Sequence, residues 1–379
     1  MNRLDHMLQQ LCPDGVEFKL VKDEYQRLKG TPITAAKMKE IESPNGDIRI
    51  FAGGKTVINA YEKDIPNANI TRVPAVLVQS RGVIDVVYYD KPFTFKNEMW
   101  AYTHESKTAI KFLYYVLKSN IEKFRDAAAG MGSLPQISLK VTEDFMIPVP
   151  PLEVQQEIVR ILDNFTELTA ELTAELTARK KQYEYYQQKL FAFNDSNTEW
   201  TTLSRIADIG TGNSNTNEEL ENGKYPFFVR SQEIRRKNTY EYDETAIITS
   251  GDGVGVGKIF HYIEGKYALH QRAYRIHITD KRVLPKFYFY YMKSSFLTYI
   301  EKTSFHSSVT SIRRPMLNNF PVPILDTEDQ IRIVSILDRF DALCNDLTSG
   351  LPAEIEARRQ QYEYYRDKLL TFPELKKEG

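Results

Sequence analysis

The feature of this sequence that most restricts its fold is an internal repeat that runs through nearly the whole chain. The segment "ARKKQYEYYQQKLFAF" (178–193) is matched by "ARRQQYEYYRDKLLTF" (357–372), and "IPVPPLEVQQEIVRILDNF" (147–165) is matched by "FPVPILDTEDQIRIVSILDRF" (320–340). The two tyrosine-rich segments are 179 residues apart, and a chain that repeats itself over such an interval is built from copies of one structural unit. We therefore expect two similar halves arranged as a pseudo-twofold tandem repeat.

Each copy consists of a globular part that varies and a helical part that varies little. The globular parts match loosely, as in "AVLVQSRGVIDVVYYDKPF" (75–93) against "AIITSGDGVGVGKIFHY" (246–262), whereas the helical parts keep whole motifs. The matches predict a first globular domain over 1–147, a first helical region over 148–194, a second globular domain over 195–320 and a second helical region over 321–379.

Both helical parts show the periodicity of long amphipathic helices. Apolar residues recur at three- and four-residue steps from Ile158 to Leu190 and from Ile333 to Leu369, which gives each helix one apolar face. Such a face needs a partner, and the nearest one is the other copy, packed as a coiled coil. The stretch "SGLPAE" (349–354) combines a glycine typical of a helix end with a proline typical of a first turn. We expect the second helix to break or bend there.

The first helix also contains a tetrapeptide repeat, "TAELTAEL" (169–176). Four residues lengthen a helix by about 6 Å and turn its end by about 400°, whereas one base pair advances DNA by about 3.4 Å and turns it by about 35°. One interpretation is that the number of units sets a distance along a DNA target. The other is slippage of a repetitive coding stretch within a tolerant helix, and the residues alone leave both open.

The globular parts are predicted to be mixed α/β (α+β) domains. Short β-rich runs, "IRIF", "AVLVQS" and "VIDVVYY" in the first part and "YPFFV", "TAIITS" and "KIFHY" in the second, are separated by Gly, Asn and Pro. An aromatic amphipathic helix follows in each part. Its Phe and Tyr residues are predicted to pack in the core rather than to stack on bases.

The net charge of −1 conceals an uneven distribution along the chain. Residues 15–145 carry 19 Lys and Arg against 16 Asp and Glu, and residues 201–320 carry 17 against 12. Residues 151–199 carry 5 against 9, and residues 324–379 carry 8 against 12. Basic globular parts beside acidic helical parts are typical of a DNA reader on a protein-binding scaffold. Ordinary fluctuation in composition explains the same numbers equally well.

Composition and the N-terminal segment indicate the compartment. The first residues, "MNRLDHMLQQLCPDG", lack the apolar core of an export signal. The chain contains no run of about 18 apolar residues, and its 2 cysteines form no motif. We therefore expect a protein of the reducing cytoplasm that has no disulfide framework, no membrane segment and no Cys-based zinc site.

Polar residues between the predicted strands are the candidate DNA contacts. Arg, Lys, Gln and Asn pair with base edges or hold phosphates, and Ser serves both purposes. A small polar loop that recurs in both copies (127–140 and 303–315) adds further candidates. The predicted contacts in the first copy are Lys55, Gln79, Ser80, Arg81, Lys96, Asn97, Ser133 and Gln136. Those in the second copy are Arg230, Ser231, Gln232, Arg235, Arg236, Ser250, Asp252, Lys258, Gln271, Arg272, His306, Ser307, Ser308, Arg313 and Arg314. For any single residue, simple solvation is the alternative.

Motifs that would indicate catalysis are incomplete. "GDGVGVGK" (251–258) lacks residues that a phosphate-binding loop requires, and we predict a glycine-rich hairpin turn. "DKPF" (90–93) resembles the loop with which amino-methyltransferases hold a flipped base, but Lys91 breaks that motif. "PDGVEFK" (13–19) has the letters of a nuclease site without its spacing, and we predict a strand start matched by "EWTTL" (199–203). The 6 histidines show no metal or triad spacing, so we predict no catalytic residue and no metal site.

The order of these parts resembles the specificity subunit of type I restriction-modification enzymes. The resemblance covers essentially the whole chain and is carried by "PVPPLEVQQEIVRILDNF", "PVPILDTEDQIRIVSILDRF" and the two "QYEYY" helices. It implies that each globular domain is a target recognition domain for one half of a bipartite, asymmetric DNA sequence. It also implies that the helices form an antiparallel coiled-coil spacer, whose length varies at the tetrapeptides.

The same resemblance implies the partners and their cofactors. Two modification subunits that methylate adenine with S-adenosylmethionine are expected, as are two restriction subunits that use ATP and Mg²⁺ to cleave DNA. No cofactor is expected in this chain. The partner helices are expected to dock at Gln155, Ile158, Tyr183, Tyr186, Gln330, Ile331, Tyr362 and Tyr365.

Two other functional classes remain open at this point. An enzyme with its own methyltransferase or nuclease centre would need "DKPF" or "PDGVEFK" to be functional. A coiled-coil adaptor without DNA specificity would need neither motif, and it would retain all DNA duplexes equally.

Overall fold

The chain divides into two compact units that do not coincide with its two sequence copies. In this computed structural model the described residues are 3–128, 134–193, 198–303 and 311–375. One unit consists of Met1–Glu171 with Ile355–Gly379, and the other consists of Leu172–Glu354. Each unit therefore combines one globular part with a portion of both helical parts. The predicted contacts Ser133, His306, Ser307 and Ser308 lie outside the described residues.

The globular part of the first unit is built from short elements. In chain order they are α1 (Arg3–Leu11), β1 (Glu17–Leu20), α2 (Val21–Glu24), β2 (Gln26–Leu28), α3 (Ala35–Ile41), β3 (Ile48–Phe51), β4 (Val57–Ala60), β5 (Ala75–Gln79), β6 (Asp85–Tyr89), β7 (Phe93–Phe95), β8 (Trp100–Thr103), α4 (Lys107–Ser119), α5 (Ile121–Asp126), α6 (Leu139–Glu143) and β9 (Met146–Val149), with a 3₁₀ turn at Glu62–Asp64. Helix α7 (Leu152–Leu190) follows as one helix of 39 residues.

The globular part of the second unit repeats much of this order. Its elements are β10 (Glu199–Thr202), α8 (Leu203–Ile206), β11 (Ala207–Thr211), β12 (Tyr225–Phe228), β13 (Arg235–Lys237), β14 (Tyr242–Ser250), β15 (Phe260–Leu269), β16 (Ala273–Ile278), α9 (Pro285–Thr303), α10 (Arg314–Asn318) and β17 (Pro321–Ile324), with a 3₁₀ turn at Thr216–Glu218. The second helical part consists of α11 (Thr327–Asn345) and α12 (Leu351–Leu369).

A two-stranded antiparallel ribbon joins the start and the end of each globular part. Strand β1 pairs with β9 in the first unit, and β10 pairs with β17 in the second. The prolines of the "PVP" segments lie in or beside β9 and β17, where they favour extended backbone before each long helix. The strand starts predicted for "PDGVEFK" and "EWTTL" are therefore confirmed.

The larger sheets also share one arrangement. The first unit has the strand order β2-β8-β5-β6, and the second has β11-β16-β14-β15, extended by β12 and β13. All neighbours within the two four-strand cores are antiparallel. The predicted β-rich runs all lie in these sheets or in the three-stranded sheet β4-β3-β7, so the mixed α and β fold is confirmed.

The "DKPF" segment interrupts a strand that is continuous in the second unit. Strand β6 ends before this segment and β7 begins at Phe93, whereas β15 runs without interruption. Pro92 has no N–H to give to a ladder, and its carbonyl accepts a hydrogen bond from Arg49 N at 3.2 Å. Phe93 is fully buried, so it cannot stack on a flipped base. The segment is a short break between β6 and β7, and with Phe93 buried it lacks the exposed aromatic ring that a base-holding loop would need.

The aromatic helices α4 and α9 pack in the cores of their units. Phe112 and Tyr115 of α4, like Phe287 and Tyr290 of α9, are at most 2% exposed. The prediction that these aromatic residues belong to the core is confirmed.

The two helical parts pack against each other within each unit. In the first unit, the ring of Phe165 on α7 lies 6.5 Å from that of Tyr362 and 5.6 Å from that of Tyr365, both on α12. In the second unit, the rings of Tyr183 and Tyr186 on α7 lie 5.8 Å and 5.7 Å from that of Phe340 on α11. Aromatic contacts between helices thus recur in both units.

The contacts in the second unit define the direction of the helix pair. Lys180 of α7 acts electrostatically on Cys344 near the end of α11. Leu190, at the end of α7, belongs to the same apolar cluster as Ile333 near the start of α11. The sequence number rises along one helix as it falls along the other, so the pair is antiparallel.

The second helical part is broken, as its sequence predicted. Between α11 and α12, the Asp346 carboxylate accepts hydrogen bonds from the Ser349 hydroxyl at 2.5 Å and from the Thr348 hydroxyl and N–H at 2.6 Å and 2.7 Å. These bonds hold the pKa of the Asp346 carboxyl well below its usual range. A Cβ at Gly350 would lie only 2.5 Å from the Ala342 carbonyl oxygen, so this turn requires glycine.

Two expectations from composition can also be compared with the structure. Cys12 and Cys344 are free thiols, and burial raises the pKa of both. Among the helices of the described residues, none is both long and apolar enough to cross a membrane.

Candidate nucleic-acid interface

Three loops of the second unit bring charged side chains together at one end of its large sheet. Arg230 follows β12, Asp252 follows β14, and Arg272 directly precedes β16. Arg230 Nη1 lies 2.6 Å from Asp252 Oδ1, and Arg272 Nη1 lies 3.2 Å from Asp252 Oδ2. One carboxylate thus joins two guanidinium groups, and we call Arg230 and Arg272 the arginine pair.

The arginine pair determines the charge of this cluster. Burial opposes ionisation of Asp252, but hydrogen bonds and charges from both arginines outweigh it and lower the pKa of the carboxyl. Burial, followed by the charges of the arginine pair, lowers the pKa of His270 beside them. The side chains of Arg230 and Arg272 are 40% and 62% exposed, so both cations remain accessible.

The backbone around Asp252 is held in place by hydrogen bonds. Gly251 N donates to the Arg272 carbonyl at 2.9 Å, and the Ser250 hydroxyl donates to the Asp252 carbonyl at 2.8 Å. A Cβ at Gly251 would lie 2.4 Å from the Arg272 carbonyl oxygen, so this approach requires glycine. The "GDGVGVGK" segment connects antiparallel β14 and β15, which confirms the predicted hairpin, and its Val254 is 97% exposed.

The first unit uses the same turns with different side chains. An isolated antiparallel bridge joins Arg81 to Gln136, as another joins Asp252 to Ser311 in the second unit. After β7, Met99 N donates to the Lys96 carbonyl, as Ala273 N donates to the His270 carbonyl after β15. Residue 81 therefore corresponds to 252, and residue 98 corresponds to 272.

Charge is reversed between these corresponding positions. Arg81 and Glu98 in the first unit occupy the places of Asp252 and Arg272 in the second. Glu98 forms an ion pair with Lys96 at 2.9 Å, and its carbonyl accepts a hydrogen bond from Ser80. Neither Glu98 nor His270 was among the predicted contacts. Aligning "KNE" (96–98) with "HQR" (270–272) in the sequence would have found Glu98 and His270.

The remaining predicted DNA contacts fall into three groups. Gln79, Ser80 and Ser250 are buried at strand ends, which differs from the direct contact role predicted for them. The Ser80 hydroxyl donates to the Glu98 carbonyl and the Ser250 hydroxyl donates to the Asp252 carbonyl, so both serines hold backbone turns. Four others are engaged within the unit: Arg235 with Glu219 and Glu233, Arg236 with Gly223, Gln271 with Asn215, and Arg314 with Ile209. Lys55, Asn97, Gln136, Gln232, Lys258 and Arg313 are exposed, whereas Ser231 is partly buried and donates to the Glu233 carbonyl.

Three of the predicted partner contacts are buried, which differs from a docking role. Ile158 is fully enclosed, and Gln155 and Gln330 point inward at the start of their helices. Gln155 Nε2 donates to the Pro150 carbonyl and Gln330 Nε2 donates to the Leu325 carbonyl, each at 2.8 Å. These residues fix the entry into each long helix. Ile331, Tyr186 and Tyr365 are exposed, as are Tyr185 and Tyr364 of the same tyrosine motifs, while Tyr183 and Tyr362 are partly buried.

A polar cluster attaches each aromatic helix to the adjacent long helix. In the first unit, the Tyr115 hydroxyl donates to Asp163 at 2.5 Å and Lys111 Nζ lies 2.8 Å from the same carboxylate. We call this set and its counterpart below the junction clusters. Their residues could have been found in the sequence, because the repeated "IKFLYY" and "ILDNF" motifs contain all of them.

The junction cluster of the second unit has the same geometry. The Tyr290 hydroxyl donates to Asp338 at 2.6 Å, and Lys286 Nζ lies 3.1 Å from that carboxylate. In both units the lysine also lies over a tyrosine ring, Tyr88 at 5.2 Å in the first and Tyr262 at 5.7 Å in the second.

A cleft opens beside each junction cluster. The cleft of the first unit has a volume of about 530 Å³ and is lined by Tyr88 and Lys118 among others. That of the second unit has a volume of about 910 Å³ and is lined by Tyr262 and Lys293 among others. The chain thus presents one type of surface twice. Across the part of the chain that the structure describes, no group of three or more His, Cys, Asp or Glu side chains is placed to hold a metal ion.

Comparison with known proteins identifies the class to which this architecture belongs. The profile of the type I restriction modification DNA specificity domain matches residues 27–179 and 196–357. A type I restriction enzyme specificity subunit of Escherichia coli is 33% identical over 359 residues, which cover 86% of this chain and 87% of that protein. A putative type I restriction enzyme specificity subunit of Haemophilus influenzae is 30% identical over 73% of this chain and 77% of that protein.

A solved structure has the same fold at low sequence identity. The S subunit of a type I restriction-modification system from M. genitalium gives a TM-score of 0.64 at 18% identity, covering 95% of this chain and 97% of that one. The matched profile and the curated relatives define a non-catalytic DNA-specificity protein, and the fold agrees with that class. The chain belongs to the type I restriction modification DNA specificity family. Members of this family carry no cofactor of their own, and the resemblance predicted from the repeat is confirmed.

Proposed function

We propose that this chain reads a bipartite, asymmetric DNA sequence, with one half read by each globular domain. The observation that supports this most is the pair of equivalent turns that carry Arg81 and Glu98 in one unit but Asp252 and Arg272 in the other. Base edges are distinguished by the donors and acceptors that face them. Equal frameworks with unequal reading residues therefore suit two unequal half-sites.

We assign the reading role to the exposed and half-buried polar residues of the loops and a supporting role to the fully buried ones. Residues 1–147 and 195–320 act as the recognition domains, and residues 148–194 and 321–379 act as the spacer. The proposed reading residues are Lys55, Arg81, Lys96, Asn97, Gln136, Arg230, Gln232, Asp252, Lys258, Gln271, Arg272 and Arg313.

We further propose that the repeated helical surfaces bind two modification subunits. The exposed tyrosines of the "QYEYY" motifs and the clefts beside the junction clusters occur once in each unit, as a partner present in two copies requires. The modification subunits would supply S-adenosylmethionine for adenine methylation. Two restriction subunits would add ATP, Mg²⁺ and cleavage, and the complex would act in the cytoplasm. Partner subunits that also contact phosphates would explain why this chain is not strongly basic.

The function is tested by selecting DNA from a random pool. The chain is purified together with its modification subunits, and the bound duplexes are sequenced. We expect two short fixed sequences separated by an unspecified gap. Equal recovery of all duplexes would contradict DNA specificity, and methyl transfer from radiolabelled S-adenosylmethionine by this chain alone would contradict its non-catalytic role.

The tetrapeptide repeat is proposed to set the gap between the half-sites. The units at 169–176 lie within α7, so a third "TAEL" would add about 6 Å of helix and turn its end by about 40° beyond one full turn. We expect the selected gap to lengthen by one or two base pairs while both half-sites stay the same. An unchanged gap would favour slippage without function.

A further inference from the structure

We infer that the arginine pair, Arg230 and Arg272 held by Asp252, reads guanine in the second half-site. This inference rests on the DNA-reading function proposed above and adds the base class and the residues that recognise it. Arginine bound bidentately to O6 and N7 of guanine in the major groove is the commonest specific contact between proteins and DNA.

The hydrogen bonds of the pair leave donors free for such a contact. A guanidinium carries five N–H donors in a planar fork. Each arginine gives only Nη1 to Asp252, so Nε and Nη2 of Arg230 and of Arg272 have no bond to this carboxylate. Among the described residues those two nitrogens of each arginine have no hydrogen-bond partner, and a fork with two such nitrogens on one side fits the two acceptors of a guanine edge.

Asp252 also fixes the guanidinium groups before DNA binds. A long side chain that is ordered in advance loses less entropy on binding. The carboxylate is itself positioned by the backbone bonds from Gly251 to the Arg272 carbonyl and from Ser250 to the Asp252 carbonyl. The cluster keeps a net positive charge, because two arginines surround one carboxylate, and this suits the negative potential of DNA.

The surrounding loop leaves this cluster open to a ligand. Val254, two residues after Asp252, is 97% exposed at the hairpin tip. A Cβ at Gly253 would meet no atom within 4 Å, and the φ of +84° there permits a sharp turn. The hairpin tip at Gly253 and Val254 is therefore exposed beside the arginine pair, where a DNA groove could be approached.

The first unit argues against a purely structural role for the arginine pair. The corresponding positions in the first unit are Arg81 and Glu98. The bridge from Arg81 to Gln136 and the turn from Lys96 to Met99 are nevertheless formed there. The shared framework thus does not need two arginines on one aspartate. The side chains that differ are those expected to differ between half-sites.

The test compares Arg272→Ala and Arg230→Ala with a matched control. Arg282→Ala is the control, because Arg282 is 61% exposed and pairs with Asp280 at 2.8 Å, yet it lies beyond the opposite end of β16 from Arg272. Each variant is purified with the modification subunits and used to select duplexes from a random pool. We expect Arg272→Ala and Arg230→Ala each to lower the preference for one guanine in the second half-site by about 5- to 150-fold. The first half-site should stay unchanged, and Arg282→Ala should leave both half-sites unchanged.

A second variant distinguishes base reading from phosphate binding. Arg272→Lys keeps the charge but loses the fork, so the guanine preference should still fall while the salt dependence of binding stays the same. Uniform weakening on all sequences, with unchanged preferences, would overturn the inference in favour of a phosphate contact. Unchanged preference in a folded Arg272→Ala variant would also overturn it. A wild-type complex without any sequence preference would overturn the proposed function itself.

Discussion

The two units of this chain have the same side-chain contacts where the globular part meets its long helix, but different side chains in the loops at the end of the large sheet. At the helix, Lys111, Tyr115 and Asp163 in the first unit form the same contacts as Lys286, Tyr290 and Asp338 in the second. At the loop ends, charge is reversed between corresponding positions. In the function proposed above, the agreement suits a surface with one task in both copies, and the difference suits a surface with a separate task in each copy.

The units also differ in how the aromatic helix begins. Ser106 caps α4 by accepting a hydrogen bond from Ala109 N at 3.3 Å. Helix α9 has proline at its start, and the N–H of Leu284 just before it donates to Gln330 Oε1 at 2.7 Å. Because Ser106 already caps α4, the equivalent Gln155 makes one bond and its Oε1 has no partner among the described residues. The glutamine at the helix entry therefore makes more hydrogen bonds in the second unit, three by Gln330 against one by Gln155.

The largest effect is expected from exchanging the loops of one unit. Replacing residues 201–320 by the second recognition domain of another family member should replace one half-site entirely and leave the other unchanged. Duplex selection with the modification subunits measures this. A change in both half-sites would show that the two units do not read independently.

Two equivalent core residues test whether the shared part is equally stable in both units. Ile158→Ala and Ile333→Ala each remove a buried side chain at the start of a long helix and should lower the free energy of unfolding by about 2–5 kcal/mol. Denaturant unfolding measures both. Ile331→Ala, at an exposed neighbouring position, should change it by less than about 0.5 kcal/mol.

Replacing the glutamine at the helix entry should lower the free energy of unfolding more in the second unit than in the first. Gln330→Leu leaves Leu284 N and the carbonyls of Arg282 and Leu325 without their partner and should cost about 2–3 kcal/mol of unfolding free energy. Gln155→Leu loses a single bond and removes an unpaired oxygen, so it should cost at most about 1 kcal/mol. Equal losses in thermal or denaturant unfolding would contradict the difference described above.

The junction clusters should behave alike. Tyr115→Phe and Tyr290→Phe each remove one hydrogen bond to a carboxylate and should each cost about 1–2 kcal/mol. Tyr185→Phe is the control, because Tyr185 is 58% exposed and should have almost no effect. Unequal losses for Tyr115→Phe and Tyr290→Phe would show that the two attachments are not equivalent.

The smallest expected effect is a pH dependence confined to the second unit. Burial lowers the pKa of His261, whose place in the first unit is taken by Val87 before the matching tyrosine. The folded state therefore favours neutral His261, so stability is present above the unfolded pKa of about 6.5 and is lost as pH falls below it. His261→Gln should reduce the fall in melting temperature between pH 7.5 and pH 5.5. A fall of the same size in the variant would contradict this assignment.

Much of the fold could be predicted because its signals are local. The stripe from Ile158 to Leu190 indicates α7, and the glycine and proline of "SGLPAE" indicate the break before α12, since both follow from backbone preferences over a few turns. The hairpin at "GDGVGVGK" follows from its glycines in the same way. The candidate site was only partly predictable. Ser250 and Arg272 have equally polar sequence surroundings, yet one is buried and the other exposed.

The sequence by itself determined the two-copy plan, the long helices, the break in the second and the regions where the copies diverge. Those properties arise from periodicity and short-range conformational preference, which the chain carries at every position. Only the tertiary structure decided that Arg230, Asp252 and Arg272 meet, because three loops distant in sequence come together through the register of β12, β14, β15 and β16. It also decided that Gln155 and Gln330 face inward, since burial depends on what packs against a helix and not on the helix alone.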